Sequence, residues 1–163
     1  MDKDLSEQAA EFLSLEFLNI ERCQTEMLHP MLQDASSQLD IKKMTVKLQL
    51  LVQRYALSTS RTAGNARSDR CPLCSSEPET TTHFLLQCST LHPIHIKYLP
   101  EILNKFRKHQ LPIDLANVVK IILDCTFLPD DDKNFERLCK NFVYKLHHTR
   151  AILLGGVSAY KNL

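Results

Sequence analysis

Tryptophan is missing from this 163-residue chain and glycine occurs only three times, which argues against the barrels and sandwiches whose many turns need glycine. No apolar run approaches the roughly 18 residues that cross a bilayer. The opening stretch, MDKDLSEQAA, is acidic and lacks the basic-then-apolar order of a secretion signal. A glycine-rich phosphate loop, an H-E-x-x-H helix and a serine–histidine pair for nucleophilic attack are all missing. The aspartates at 130–132 follow Leu128 and Pro129 and read as an acidic helix start rather than as catalytic carboxylates. The expectation is therefore a non-enzymatic, intracellular protein without a membrane partner. In a reducing compartment, clustered cysteines hold a metal more often than they pair.

Hydrophobic residues make up 44% of the chain and charged residues 24%, enough for one core, so residues 1–163 are expected to form a single helical domain. The net charge of +1 conceals strong segregation. Residues 1–40 hold nine acidic and two basic side chains, and residues 41–70 hold seven basic and one acidic. Residues 71–132 are mildly acidic, and residues 133–163 return to six basic against one acidic. Such blocks either pair with one another in the fold or place a basic face on a nearly neutral protein.

Periodicity predicts mostly helix. Leu5, Ala9, Phe12, Leu13 and Ile20 recur at helical spacing, with Leu15, Phe17 and Leu18 allowing a strand at the end. Pro30 and a polar cluster break the pattern. Asp40 is a plausible cap for a long amphipathic helix with Ile41, Met44, Leu48, Leu51, Val52 and Tyr55 on its apolar face. A third helix is expected from about Pro100, a proline suiting the first turn. Asp114 can cap a short helix carrying Leu115, Val118, Val119 and Ile122. PDDDKN can cap a last one that buries Phe135, Leu138, Phe142, Val143, Leu146 and Leu153 and ends at Gly155 and Gly156. The fold class expected is mainly α, about five helices around one core, interrupted by a zinc-binding unit at 70–92.

That unit reads RCPLCSSEPETTTHFLLQCSTLH and contains Cys71, Cys74, His83 and Cys88 in the order C-x2-C-x8-H-x4-C. Two cysteines two residues apart can turn a knuckle and aim both sulfurs at one ion, with Pro72 stiffening the turn. His83 and Cys88 fall on TTTHFLLQC, a short helix starting near Thr81 or Thr82 with Phe84, Leu85 and Leu86 toward the core. In a regular helix these two ligands point about 140° apart, so the helix must tighten or end near Cys88 for both to reach one ion. Three thiolates and an imidazole suit tetrahedral zinc and leave no open position, so one structural zinc is expected. His92 and His95 follow closely and could replace a ligand, although surface histidines are the plainer reading. Cys139, His147 and His148 on the last helix are a weaker second grouping, and Cys125 and Cys139 also fit a core.

The segment Cys71-Pro72-Leu73-Cys74, Glu79-Thr80, His83-Phe84-Leu85-Leu86, Cys88 and Leu91 resembles the zinc-binding region at the C-terminal end of reverse transcriptases from non-LTR retrotransposons. KKMTVKLQLLVQRYALSTSR and FERLCKNFVYKLHHTRAILL resemble the flanks of that region more weakly. The resemblance implies a nucleic-acid-binding accessory region, with Cys71, Cys74, His83 and Cys88 as the metal ligands. It does not imply polymerase activity, because the chain is too short and lacks the aromatic–x–Asp–Asp strand.

A nucleic-acid module would use Lys42, Lys43, Lys47, Arg54, Arg61, Arg67 and Arg70 against phosphates, in RNA or DNA, with salt-sensitive and largely sequence-independent binding. Lys43, Lys47 and Arg54 share one helical face. Aromatics for stacking single strands are few near the cysteines, namely Tyr55, Phe84 and Tyr98, so contacts to a structured backbone are favoured. The alternative is a protein-interaction module in which zinc shapes a helical surface, for a polymerase or another protein. Its support is the acidic first 40 residues.

Overall fold

Ser37, three residues ahead of the expected cap, starts the first long helix. Its hydroxyl accepts from the Asp40 amide at 3.1 Å and donates to the Asp40 carboxylate at 2.6 Å, a reciprocal cap that satisfies an otherwise orphaned donor. The computed structural model describes residues 15–25, 27–33, 35–61, 69–130 and 132–155, so most of the helix expected over 5–20 lies outside the described residues. Among them the α-helices are α1 (Ile20–Cys23), α2 (Gln38–Leu51), α3 (His92–Lys108), α4 (Leu115–Leu123) and α5 (Lys133–Leu153). No β-strand occurs among the described residues, only an isolated antiparallel bridge between Arg70 and Pro78. The protein is mainly α, as its periodicity predicts.

α2 is rotated from the expected orientation. Its buried residues are Val46, Lys47, Leu50 and Leu51, whereas Ile41 and Leu48 are exposed. At about 100° per residue, the buried face sits roughly a third of a turn from the one the apolar residues mark. The reason is a partner distant in sequence: the Lys47 ammonium meets the Glu136 carboxylate of α5 at 2.6 Å, and both are buried. The helix also stops at Leu51 rather than reaching Tyr55. Gln53 takes φ +53°, and the amides of Arg54 and Tyr55 both fold back on the Gln49 carbonyl.

α3 begins at His92 rather than near Pro100. Pro93 occupies the first turn, where its missing N–H costs nothing, and Pro100 lies inside the helix. An internal proline costs about 3 kcal/mol. Ile102 and Phe106 are fully buried in the same helix and contribute about 1.5–3 kcal/mol each, enough to offset it. α4 and α5 start where expected. Asp114 accepts from the Asn117 amide, and Asp132 accepts from the amides of Asn134 and Phe135. α5 buries Phe135, Phe142, Val143 and Leu146, but Leu153 is exposed, and Gly155 follows with φ +111°.

α5 is the hub. It packs on α2, α3 and α4, on the turn at Pro30–Leu32 and on the two short segments His83–Gln87 and Ser89–Leu91. One apolar cluster joins Val46, Leu50, Ile102, Val119, Phe142 and Leu146 to Cys71, Phe84, Leu85, Cys88 and Leu91, so the unit at 70–92 is part of the main core. Asp124, with no exposed surface, ties the first described segment to the end of α4. It accepts from the Asn19 amide, from the Thr126 amide and hydroxyl, and from His29 Nε2 at 3.1 Å. His29 Nδ1 accepts from the Met31 amide, so the proton sits on Nε2.

Candidate metal centre

The knuckle is built by its own backbone. The Cys71 amide donates to the Glu77 carbonyl at 2.7 Å, and the Ser75 amide donates to the Cys71 carbonyl at 2.8 Å. Ser75 turns the chain at φ +57°, and the Arg70 guanidinium donates to the carbonyls of Ser75 and Ser76. Thr80, earlier than expected, caps the following helical segment by accepting from the His83 amide at 3.1 Å. That segment ends at Gln87, just before Cys88, as one of the two expected routes had it, but it widens rather than tightens. His83–Gln87 is a π turn, in which the Cys88 amide donates to the His83 carbonyl at 2.8 Å. A bond from residue i+5 to residue i brings Cys88 back beneath His83, which a regular α-helix would not do.

Cys71, Cys74, His83 and Cys88 thus present ligand atoms that all lie within 4.8 Å of one another. The sulfurs of Cys71 and Cys88 are 3.8 Å apart, and Cys74 Sγ lies 3.3 Å from His83 Nε2. A tetrahedral site with metal–sulfur bonds of about 2.3 Å has sulfur–sulfur edges of about 3.8 Å. The spacing fits one ion and is far too long for a disulfide, and all four cluster residues except Cys74 are buried. The cluster can hold a metal ion.

The donors differ in how readily they ionise. Burial, reinforced by the neighbouring Cys71, pushes the Cys88 thiol up to about 12. Burial also opposes ionisation of Cys74, but hydrogen bonds from the Ser76 hydroxyl and amide, Cys71 and His83 outweigh it and bring that thiol down to about 6. With Nε2 turned toward the sulfurs, His83 Nδ1 is buried, makes no hydrogen bond among the described residues, and lies 3.5 Å from the exposed Glu77 carboxylate. Were His83 to bind a metal through Nε2, a carboxylate in this place could close on Nδ1 and fix the tautomer and ring orientation.

Two residues that sequence reading did not single out for a role lock the unit to the hub. Glu79 is buried, and its carboxylate takes a two-pronged contact from the Arg150 guanidinium of α5, at 2.7 and 2.9 Å. The same carboxylate accepts from the Ser58 amide and hydroxyl. Burial pushes the Glu79 carboxyl up, but the hydrogen bonds and charge of Arg150, with Ser58, hold it below its ordinary value. Above this contact Tyr55 stacks on Phe84 with ring centroids 5.4 Å apart, and its hydroxyl meets His147 Nδ1 at 2.8 Å. Tyr55 and Phe84 are buried, and Tyr98 lies half-buried against Phe142. None of the three aromatics is a free stacking platform.

The basic residues separate. Lys42 and Arg54 are exposed, and Lys43 is half-buried, 4.0 Å from the Asp40 carboxylate. Lys47 must be removed from the set, because it has no exposed surface and its charge is spent on Glu136. Because α2 ends at Leu51, Arg54 does not share a helical face with Lys43 and Lys47, and of these three it is Lys47 that α2 turns toward α5. Arg70 is exposed and braces the knuckle carbonyls. Arg61 lies in the turn Ser58–Arg61, and Arg67 is outside the described residues. His92 is exposed, but His95 is a core residue rather than a surface one, edge-on to Phe142 and held below its usual pKa by burial. Cys125, Cys139, His147 and His148 form no second ligand group among the described residues.

No helix among the described residues is long and apolar enough to cross a membrane. Comparisons with protein-family models, with curated proteins and with solved structures returned no match to this chain.

Proposed function

We propose that this chain is a zinc-stapled, non-catalytic nucleic-acid-binding module of the kind that lies behind the polymerase in non-LTR retrotransposon reverse transcriptases. The observation that carries the zinc assignment is the convergence of three cysteines and a histidine, from one short stretch, within 4.8 Å. This soft and borderline donor set is the one zinc prefers in closed tetrahedral sites. Four protein donors leave no place for a substrate or a nucleophilic water, so the metal's role is structural. Its binding free energy is folding free energy for a segment that Glu79 and Phe84 then join to α5 and the core.

Nucleic-acid binding is supported by the resemblance of residues 71–91 and by the exposed cations Lys42, Arg54 and Arg70. These would meet phosphates rather than bases, giving affinity that falls steeply with salt. The test is a titration with RNA and with duplex DNA at two salt concentrations, with zinc measured on the same sample. One zinc per chain, and binding that weakens with salt and on replacing Lys42 and Arg54 by glutamate, is the expected result. Binding that ignores both salt and those charges would refute the reading.

One observation favours protein docking instead. Ile41 on α2 is exposed and, with Gln38, Lys42 and Thr45, lines a largely apolar cavity of about 250 Å³. A salt-insensitive partner lost on Ile41→Glu would establish that reading.

A further inference from the structure

A second cavity, polar rather than apolar, lies where the start of α2 meets α5. It has a volume of about 250 Å³ and is lined by Ser36, Asp40, Lys43, Arg137, Lys140 and Asn141. A cavity needs only roughly 10–15 Å³ to admit one water, so this one has room for a hydrated oxyanion. Three of the six lining residues are cationic and one is a carboxylate. That carboxylate is already engaged in helix capping: Asp40 accepts from the Ser37 hydroxyl at 2.6 Å and from the Ser36 hydroxyl at 3.5 Å.

Lys140 is the informative member. Only 6% of its surface is exposed, yet the one hydrogen bond its ammonium makes among the described residues is to the Gln33 carbonyl, at 3.3 Å. Buried ammonium groups are normally paired with an anion, as Lys47 is with Glu136 on the same two helices. Among the described residues the carboxylate that acts on it is Asp40, which also lies 4.0 Å from Lys43, so in the lining of this cavity one anion faces three cations. Asn141 adds a neutral amide that can donate to an oxyanion.

We propose that this cavity is a phosphate-binding pocket in which Lys43, Arg137 and Lys140 receive a phosphate of a nucleic-acid backbone, with Asn141 as an uncharged donor. The choice of ligand rests on the nucleic-acid reading above, and the pocket deepens it by naming where one phosphate is held. Arg137, Lys140 and Asn141 were not apparent from sequence because they meet Lys43 only through the packing of α5 on α2.

The test uses the full zinc-loaded chain with a labelled duplex DNA and a labelled RNA hairpin, read by fluorescence anisotropy. The double variant Lys43→Gln/Arg137→Gln should lose about tenfold or more in affinity and flatten the salt dependence by about one to two counterions. The charge-keeping pair Lys43→Arg/Arg137→Lys should retain it. Asn141→Asp, nearly isosteric, puts a negative charge into the cavity and should weaken binding comparably; it decides the matter if the double variant melts early. Unchanged affinity in well-folded variants, with Lys42→Gln/Arg54→Gln still weakened, would overturn the pocket and leave the nucleic-acid reading standing. If the parent chain binds neither nucleic acid, that reading fails. Inorganic phosphate, followed by amide chemical shifts, then decides the pocket alone. Shifts at Lys43, Arg137 and Lys140 that vanish in Asn141→Asp support it, and none at saturating phosphate overturns it.

Discussion

Replacing Glu136 by glutamine is the sharpest test of how α2 and α5 are held together. The amide keeps the shape of the side chain but leaves the Lys47 ammonium, which has no exposed surface, without its counter-charge. At the observed 2.6 Å and an effective dielectric of about 20, the pair's attraction is about 6 kcal/mol. The desolvation of both ions, several kcal/mol each, cancels most of it, so the intact pair contributes little net stability. Breaking it is another matter, because the desolvation remains when the attraction has gone. Burial drives the Lys47 pKa down, but the charge of Glu136 outweighs it and holds the ammonium above its ordinary value. The nearby Cys125 and Cys139 thiols, both pushed up chiefly by burial, stay neutral and offer no substitute anion. Glu136→Gln should therefore cost about 3–5 kcal/mol. In a chain of 163 residues that lowers the melting midpoint by roughly 10 °C or more. The assay is thermal and urea unfolding with zinc in excess. Lys47→Met/Glu136→Leu removes both charges and should return stability to within about 1 kcal/mol of the parent. It should also bind nucleic acid as the parent does, since Lys47 has no surface to offer. A Glu136→Gln variant within experimental error of the parent, or a double variant as unstable as the single one, would refute the reasoning.

Cys74→Ser, or a strong chelator added to the parent chain, should release the metal and lower stability, seen as lost zinc stoichiometry and an earlier unfolding midpoint. Glu77→Gln should weaken zinc binding about tenfold without removing a ligand, measured by competition with a chromogenic chelator; an unchanged affinity would deny Glu77 any hold on His83. Because the Glu79 pKa is depressed in the folded protein, the stability it contributes is complete above the ordinary glutamate value near 4.5 and disappears as pH falls through the lowered one. Arg150→Met should accordingly cost about 3 kcal/mol at neutral pH and flatten the acid limb of a stability–pH curve; an unaltered acid limb would show that Arg150 does not set that pKa.

The Cys/His cluster was legible because knuckle spacing is local, and the caps at Asp114 and Asp132 were legible because a carboxylate before an apolar run needs no distant partner. What escaped was set by contacts far along the chain. Lys47 counts as polar in any periodicity, yet Glu136, 89 residues away, makes its face of α2 the buried one. The bond between Glu79 and Arg150 spans 71 residues and leaves no local signature. Pro100 looked like a helix start because proline usually is one, and only the burial of Ile102 and Phe106 explains its tolerance inside α3. The π turn escaped for a different reason: it rests on a single shifted hydrogen bond, from the Cys88 amide to the His83 carbonyl, which no residue of HFLLQ announces.

Glu79 has a further consequence. Its carboxylate holds Ser58, its carbonyl accepts from the Thr59 hydroxyl, and its amide donates to the Asp69 carbonyl. The chain therefore leaves this one residue near position 59 and comes back to it at position 69. Replacing Glu79 would free Ser58 directly and, by shifting the backbone that holds Thr59 and Asp69, loosen two points of the chain that are ten residues apart in sequence.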